Sequence, residues 1–293
     1  MNPIIRNLAT FLICLAASWT SISDAAEKAN VLIIVGPSNH RPGSHEVKAG
    51  GRLMQYCLTN SDNVADIEAS VSYGWPKKEA DLDQADTVVF IGDAFPPNRL
   101  QGREMILAKL GSMMNRGCGI VCIHYATGLH GGDVPKDGSH PLLYWMGGYA
   151  AFRCPHHNTI AKIFREAKIT PSSKKHPISR GWKEFTLHDE PYINNYFGPN
   201  DNQLAPNVTA LATSMLPPEK PRKEVVAWCV QRDKGRGFGI VMPHFYRSWK
   251  LDDLRTFILN GIVWTANRKI PANGVQCKLP QLSKFEPEAL EPK

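Results

Sequence analysis

Histidine is the residue type whose number and placement most clearly suggest chemistry in this sequence. The chain contains ten histidines, and several follow stretches that read as strands: His40 and His45 follow the first, His124 ends the third, and His244 follows a hairpin. Near neutral pH an imidazole can act as an acid, a base or a metal ligand. A single histidine is more often a structural or surface residue, but several at one edge of a sheet indicate a site.

The segment 117–128 carries the sharpest local signal. It reads as a buried strand that ends in a polar side chain, the arrangement by which α/β enzymes expose a nucleophile or a base. His124 occupies this exit, whereas Cys122 lies two residues earlier, between Val121 and Ile123. Apolar surroundings raise the pKa of a thiol, so we expect Cys122 to be a buried strand residue and not a nucleophile.

Two adjacent acidic residues are the second candidate for chemistry. Asp189 and Glu190 follow the alternating stretch 185–187, which reads as a strand that would deliver them to a loop. Carboxylates beside imidazoles can exchange protons or complete a metal-ligand set of oxygen and nitrogen, although a solvated turn is an equally simple interpretation. The zinc-binding spacings His-Glu-x-x-His and Cys-x-x-Cys do not occur in the sequence, so spacing alone defines no metal site.

An alternation of strands and helices is predicted to position these residues. Three aliphatic runs, 30–36, 86–92 and 119–124, read as strands buried on both faces. The remaining patterns predict helices at 44–58, 100–115 and 251–265, and strands at 67–73, 159–169, 208–214, 225–230 and 237–242. This order indicates a doubly wound α/β sheet, in which ligands bind beyond the carboxyl ends of the strands.

Composition and charge restrict the class of protein. With 293 residues, 43% of them hydrophobic, the chain is long and apolar enough to form one large folded domain. The formal net charge is +7. Because its Lys and Arg residues are spread over loops without interleaved aromatic residues, we do not expect nucleic acid as a partner.

The two ends of the chain are predicted to lie outside this domain. Residues 1–25 read as a signal peptide whose apolar run of about a dozen residues is too short to span a bilayer. We therefore expect an exported protein, periplasmic or secreted, without stable membrane insertion. The domain is predicted over 26–267, and 268–293 is predicted to be a Pro- and Lys-rich tail that lies over the surface or is partly disordered. Six of the seven cysteines remain after export, but their spacing defines no disulfide framework.

Several motifs, taken together and in this order, resemble the ThuA-like (trehalose utilisation) family, a branch of the class I glutamine amidotransferase-like superfamily. The resemblance covers about 30–267 and rests on the first strand with His40, 119–126 with His124, Gly147-Gly148-Tyr149 followed by His156-His157, His176-Pro177-Ile178, Asp189-Glu190-Pro191-Tyr192, Val226-Ala227-Trp228, Lys234-Gly235-Arg236-Gly237 and His244. It implies a flavodoxin-like three-layer sandwich with a central mostly parallel sheet. It also implies that His124 replaces the amidotransferase cysteine, and that the protein acts in sugar catabolism.

These lines of reasoning predict one site at the edge of the sheet. The predicted catalytic residues are His124, Glu190, His244 and His40. The predicted ligand-binding residues are His156, His157, Asp189, Tyr125 and Tyr149, with Trp145 as a further aromatic wall, because aromatic faces suit sugar rings. Which of His156 and His157 takes the family position is left open.

Three classes of function fit this site. The leading interpretation is an exported isomerase, lyase or hydrolase that acts on a sugar or 3-keto-sugar derivative by His/Glu acid-base chemistry. The alternatives are a non-catalytic carbohydrate-binding module and a metal-dependent sugar enzyme. The expected partner is a small-molecule sugar. No cofactor is assigned, a divalent metal is left open, and neither the substrate nor the oligomeric state follows from the sequence.

Overall fold

The computed structural model describes residues 27–285. The predicted signal peptide lies outside the described residues. Sixteen helices and strands follow one another along the described chain: β1 (Ala29–Val35), α1 (Val47–Thr59), β2 (Ile67–Tyr73), α2 (Glu79–Asp83), β3 (Thr87–Ile91), α3 (Arg103–Asn115), β4 (Gly119–Ile123), β5 (Gly128–His130), α4 (Pro141–Met146), β6 (Ala150–Phe152), β7 (Phe164–Pro171), β8 (Phe185–Asp189), β9 (Val208–Leu216), β10 (Arg222–Gln231), β11 (Arg236–Ile240) and α5 (Asp252–Thr265).

A nine-stranded sheet forms the centre of the fold. Its strand order is β2-β1-β3-β4-β11-β10-β9-β7-β8, while β5 and β6 form a separate parallel pair. The first five strands are mutually parallel, and of the others only β10 and β7 run in the opposite direction. The predicted α/β class with a central, mostly parallel sheet is confirmed. The three-layer arrangement stays a prediction.

The three aliphatic runs form the middle of this sheet. β3 and β4 are buried at every residue, and β1 at all but Asn30, as expected for parallel strands covered on both faces. Their register aligns the strand ends, because Val35 pairs with Ile91, Ile91 with Ile123, and Ile123 with Ile240 of β11. The loops that follow these four strands therefore leave the sheet side by side at one edge.

Some predicted strands differ from those in the structure. The strand predicted at 159–169 begins only at Phe164, because the Thr159 hydroxyl donates to the carbonyl of Asn194 and accepts a hydrogen bond from the backbone of Ala151. The strand predicted through His124 ends at Ile123, and residues 124–127 form a single 3-10 turn. His124 thus belongs to a loop and not to the sheet.

Residues 268–285, called here the C-terminal strap, lie over the surface of the domain. The Tyr246 hydroxyl donates a hydrogen bond to the carbonyl of Leu282 (3.0 Å), and Arg52 of α1 donates to the carbonyl of Phe285 (2.5 Å). Residues 286–293 of the predicted tail lie outside the described residues. Within residues 27–285, none of the helices has the length and hydropathy that a membrane span requires.

Candidate metal centre

Five side chains meet at the edge where the parallel strands end. His45 lies between β1 and α1, Asp93 follows β3, His124 follows β4 and His244 follows β11, while Glu190 comes directly after β8. The aligned ends of β1, β3, β4 and β11 bring four of these loops together. β8 lies at the far end of the sheet but runs in the same direction, so Glu190 approaches the same edge.

Three imidazole nitrogens converge at the centre of this group. The Nε2 atom of His45 lies 2.8 Å from Nδ1 of His244 and 2.9 Å from Nε2 of His124, and the last two atoms are 3.2 Å apart. The carboxylate oxygen Oε2 of Glu190 lies 3.2 Å from Nδ1 of His244 and 3.8 Å from Nε2 of His124. The three rings are buried, with side-chain exposures of 2%, 4% and 9% for His45, His124 and His244.

The hydrogen-bond partners of the Nδ1 atoms of His124 and His45 show which nitrogen of each ring carries the proton. Nδ1 of His124 lies 3.0 Å from the carbonyl oxygen of Val241, and Nδ1 of His45 lies 2.6 Å from Oδ1 of Asp93. A carbonyl can only accept a hydrogen bond, and so can an ionised carboxylate. Burial acts to raise the pKa of Asp93, but hydrogen bonds from both histidines beside it and from the backbone of Asn39 outweigh this and lower it well below its ordinary value. Both Nδ1 atoms therefore carry the proton.

The Nε2 atoms of His45 and His124 therefore carry no proton, and each presents a lone pair to the other. Burial lowers the pKa of His45 and lowers that of His124 well below its ordinary value, so neither ring gains a second proton near neutral pH. Two lone pairs 2.9 Å apart repel each other. A cation held between them and the His244 nitrogen would convert this repulsion into three favourable contacts.

The donor set fits a divalent transition-metal ion. Imidazole nitrogen with carboxylate oxygen suits zinc and similar ions, and nitrogens bound at 2.0–2.1 Å to one tetrahedral ion lie about 3.4 Å apart. The observed separations of 2.8–3.2 Å would have to widen by only a few tenths of an ångström. Metal-bound histidines also usually donate their other N–H to a carboxylate or a backbone carbonyl, and Asp93 and Val241 occupy these positions.

Asp189 fixes the positions of His244 and Glu190 through hydrogen bonds to their backbones. Its carboxylate accepts hydrogen bonds from the backbone N–H groups of His244 (2.7 Å) and Glu190 (2.8 Å) and from the Ser248 hydroxyl. The residue is fully buried, and this burial raises its pKa. Asp189 was predicted to bind the ligand. Its carboxylate is instead occupied by these three donors and positions His244 and Glu190.

Replacing Asp189 with alanine is expected to destabilise the protein by about 3 kcal/mol, because three buried donors would lose a charged acceptor. Ser248→Ala, which removes only one of these hydrogen bonds, should cost about 1 kcal/mol. Urea denaturation at neutral pH measures both values. Equal effects of the two substitutions would contradict the positioning role of Asp189.

A cavity of about 570 Å³ opens beside the centre. This is the size of a small-molecule site. Polar and aromatic side chains line it: His40, Tyr125, His130, Phe152, Arg153, Asn158, Thr159, Glu190, Tyr192 and His244. Tyr192 stacks on the ring of His124 with centroids 4.6 Å apart, and its hydroxyl lies 3.1 Å from Nε2 of His124. A ligand in the cavity would thus contact both aromatic faces and the edge of the centre.

His40 connects this cavity to the centre. Its ring stacks on that of His45 with centroids 3.6 Å apart, and its Nδ1 lies 2.9 Å from Oδ2 of Asp93. This hydrogen bond is the main reason why the pKa of His40 is raised. Asp93 therefore links the two rings, and Nε2 of His40 is the nitrogen that remains for a ligand.

The structure brings together only part of the predicted site. His124, Glu190, His244 and His40 form one group, and Tyr125 lines its cavity. Three residues predicted to bind the ligand lie elsewhere: the Tyr149 hydroxyl donates to the carbonyl of Gly138 and contacts His156, and His157 bonds the carbonyl of Asn194. They fasten loops to one another, and neither they nor Trp145 lines the cavity of the described structure.

Cys122 is a strand residue, as predicted. It is fully buried in β4 and burial raises its pKa well above the ordinary value. A thiol in these surroundings does not ionise near neutral pH.

Two residues of the centre and one beside it were not among the predicted site residues. His45 shares the loop of His40, Asp93 follows Gly92 directly at the end of the second aliphatic run, and Tyr192 ends the motif that contains Glu190. Position after a buried strand was the signal that could have found Asp93. Nothing in the sequence shows that the ring of His45, rather than that of His40, reaches the innermost position.

Comparison with known proteins identifies related folds. Residues 30–265 match the model of a family described as trehalose utilisation (ThuA). A ThuA-like protein from Bacteroides uniformis has a TM-score of 0.59 at 14% identity over 86% of this chain and 96% of that one. A cytoplasmic protein from Salmonella typhimurium has a TM-score of 0.50 at 14% identity over 80% and 99%.

A glutamine amidotransferase from Thermotoga maritima is also similar, with a TM-score of 0.42 at 10% identity over 82% of this chain and 97% of that one. None of the curated proteins matches this chain significantly in sequence. At such low identities, likeness to a solved structure concerns the fold and not the chemistry.

Proposed function

Because the chain belongs to the trehalose-utilisation (ThuA) family, which implies a carbohydrate-related role, we propose that it is a metal-dependent enzyme acting on a sugar or keto-sugar derivative. The observation that carries this proposal is the convergence of three imidazole nitrogens within 3.2 Å of one another. In two of these rings, His45 and His124, the other nitrogen donates its N–H to Asp93 and to the carbonyl of Val241, respectively.

The side chains around the centre have distinct parts in this proposal. His45, His124 and His244 would hold a divalent ion, which would supply a Lewis acid for a carbonyl or hydroxyl oxygen of the substrate. Glu190 lines the cavity and its side chain is 16% exposed. It exchanges a proton with the substrate through Oε2, the oxygen that lies nearest the histidine nitrogens. Nε2 of His40 is the second group that can exchange a proton there.

The cavity supports a sugar-sized substrate. Tyr125, Phe152 and Tyr192 offer aromatic surface, and Asn158 and Thr159 offer polar groups for hydroxyls. The signal peptide predicted at 1–25 would place the reaction outside the cytoplasm, and we include export in the proposal.

Zinc added to metal-free protein is expected to raise its melting temperature by about 5–10 °C at a hundredfold excess over Kd, since an ion that binds only the folded state stabilises it. Differential scanning calorimetry measures the shift, and a chelator should reverse it. Magnesium serves as the control ion, because it prefers oxygen ligands. Equal shifts with zinc and magnesium, or no shift with any divalent transition metal, would contradict the centre.

Turnover decides between this enzyme and a binding module. Purified protein is incubated with a panel of disaccharides and their 3-keto forms, with and without zinc and with chelator, and products are followed by NMR. Turnover that is lost on chelation and restored by the ion supports the proposal. Binding of sugars without any product under these conditions would favour the non-catalytic carbohydrate-binding protein, and turnover unaffected by chelation would favour His/Glu chemistry alone.

A further inference from the structure

The cavity beside the centre has a second end, called here the outer end, which lies away from the three converging histidines. The ring of Tyr125 lies between the two ends, since its centroid is 5.5 Å from that of His45 and 5.3 Å from that of Phe152. Arg153 follows Phe152 in the chain and also lines the cavity. A ligand that stacks along Tyr125 can therefore reach both the centre and Arg153.

The guanidinium group of Arg153 has no partner of its own. The side chain is exposed, and within residues 27–285 it forms neither a hydrogen bond nor an ion pair. Burial raises the pKa of Tyr125 and lowers that of His130, and the positive charge of Arg153 also acts on both groups. Because a guanidinium stays charged at any pH that the folded protein meets, the outer end carries a fixed positive charge.

The other ionisable side chains nearby do not balance or repeat this charge. Arg99 donates to both carboxylate oxygens of Asp133, at 3.1 and 2.7 Å. His130 lines the cavity, but its lowered pKa leaves it uncharged near neutral pH. Glu190 lies at the inner end, with Oε2 3.2 Å from Nδ1 of His244. Arg153 is thus the cation that remains for a ligand at the outer end.

The backbone holds Arg153 in a conformation that few residues other than glycine adopt. Its φ angle is 53°, in the left-handed region. The N–H of Arg153 donates to Oδ1 of Asn158 (3.1 Å), and its carbonyl oxygen packs so closely on Gly131 that a Cβ there would lie 2.5 Å away. Such strain persists only where the surroundings impose it, and it often occurs at ligand sites.

We propose that the cavity takes a sugar derivative that carries a carboxylate, and that Arg153 is the residue that binds this group. The inference rests on the proposed function and names the substrate class of the same site. A guanidinium donates two parallel hydrogen bonds to a carboxylate. The sugar ring then lies along Tyr125, and a carbonyl or hydroxyl oxygen at its other side faces the centre.

The number of charges favours a carboxylate over a phosphate ester. A carboxylate carries one negative charge and matches a single guanidinium. A phosphate monoester carries nearly two charges and three acceptor oxygens near neutral pH, and the outer end offers it Arg153 as its one free cation among the described side chains that line the cavity. A uronic acid is therefore the expected kind of ligand.

The test compares sugar acids with their uncharged methyl esters. Full-length protein with zinc is titrated by calorimetry with glucuronate, galacturonate, each methyl ester, glucose and glucose 6-phosphate. We expect at least one acid to bind about 10–100-fold more tightly than its ester, because hydrogen bonds to a charged group are lost in the ester. Equal binding of acids and esters, no binding of either acid, or tighter binding of glucose 6-phosphate than of both acids would overturn the proposal.

Variants show whether the preference comes from Arg153. In Arg153→Gln the preference for acid over ester should disappear, and Arg153→Lys should keep part of it, since the charge remains without the planar fork. Arg165→Gln is the matched control, because Arg165 is an exposed arginine of β7 that does not line the cavity. Melting temperatures show that each variant is folded. A full preference in folded Arg153→Gln would contradict the assignment.

This inference and the proposed function can fail separately. Sugar acids that bind through Arg153 but yield no product in the NMR assay would support the ligand class and contradict the enzyme. Metal-dependent turnover of neutral sugars, equal in the unchanged protein and in Arg153→Gln, would support the enzyme and overturn the ligand class.

Discussion

Replacing His124 with alanine is expected to abolish stoichiometric metal binding and turnover together. His124 contributes one of the three converging nitrogens, and its Nε2 lies within 3.2 Å of both other imidazole nitrogens. Loss of a direct ligand should weaken metal affinity by more than the roughly 10–100-fold that follows loss of an outer hydrogen-bond partner. Elemental analysis of dialysed protein and calorimetric zinc titration measure the effect.

His188→Ala is the matched control for this substitution. His188 is an exposed residue of β8 whose ring packs edge-on against Phe245, so its removal tests the loss of an imidazole that is not one of the converging ligands. We expect full metal content and full activity. Circular dichroism and the melting temperature of His124→Ala show whether its fold is intact. A folded His124→Ala protein that retains one tightly bound ion would contradict the assigned ligand set.

Replacing Glu190 with glutamine should separate metal binding from catalysis. The amide keeps the size of the side chain but cannot accept and return a proton, so kcat is expected to fall by about 10²–10⁴. Metal content should remain near that of the unchanged protein, because the three imidazole nitrogens stay in place. Elemental analysis and steady-state kinetics on the substrate identified by NMR measure the two quantities.

Glu184→Gln is the control for the loss of a carboxylate, because Glu184 is exposed, directly precedes β8 and pairs with Lys168. It should leave metal content and kcat unchanged. If Glu190→Gln lost the metal as well as the activity, Glu190 would be a ligand required for binding rather than a group that transfers protons.

The sequence alone was enough to predict the strands that build the sheet and the edge where the site lies. The aliphatic runs that became β1, β3 and β4 are buried almost throughout, and burial on both faces leaves a signal at every residue. Parallel strands must share the edge at which they end, so the loops with His40, His124 and His244 were expected together. Glu190 was predicted as one of two acidic residues delivered to a loop by a strand, but only the structure shows that β8 runs in the same direction as the parallel strands.

Only the tertiary structure decided which side chains meet. His40 and His45 lie five residues apart in one loop, and it is the stacking of their rings and the hydrogen bonds of both to Asp93 that put His45 innermost. Tyr149 was predicted to line the site because an aromatic face suits a sugar ring, yet its hydroxyl donates a hydrogen bond to the carbonyl of Gly138. Hydrophobic patterns record burial, which is local, whereas a metal centre depends on the directions of a few lone pairs from distant loops. Those directions arise only when the loops pack.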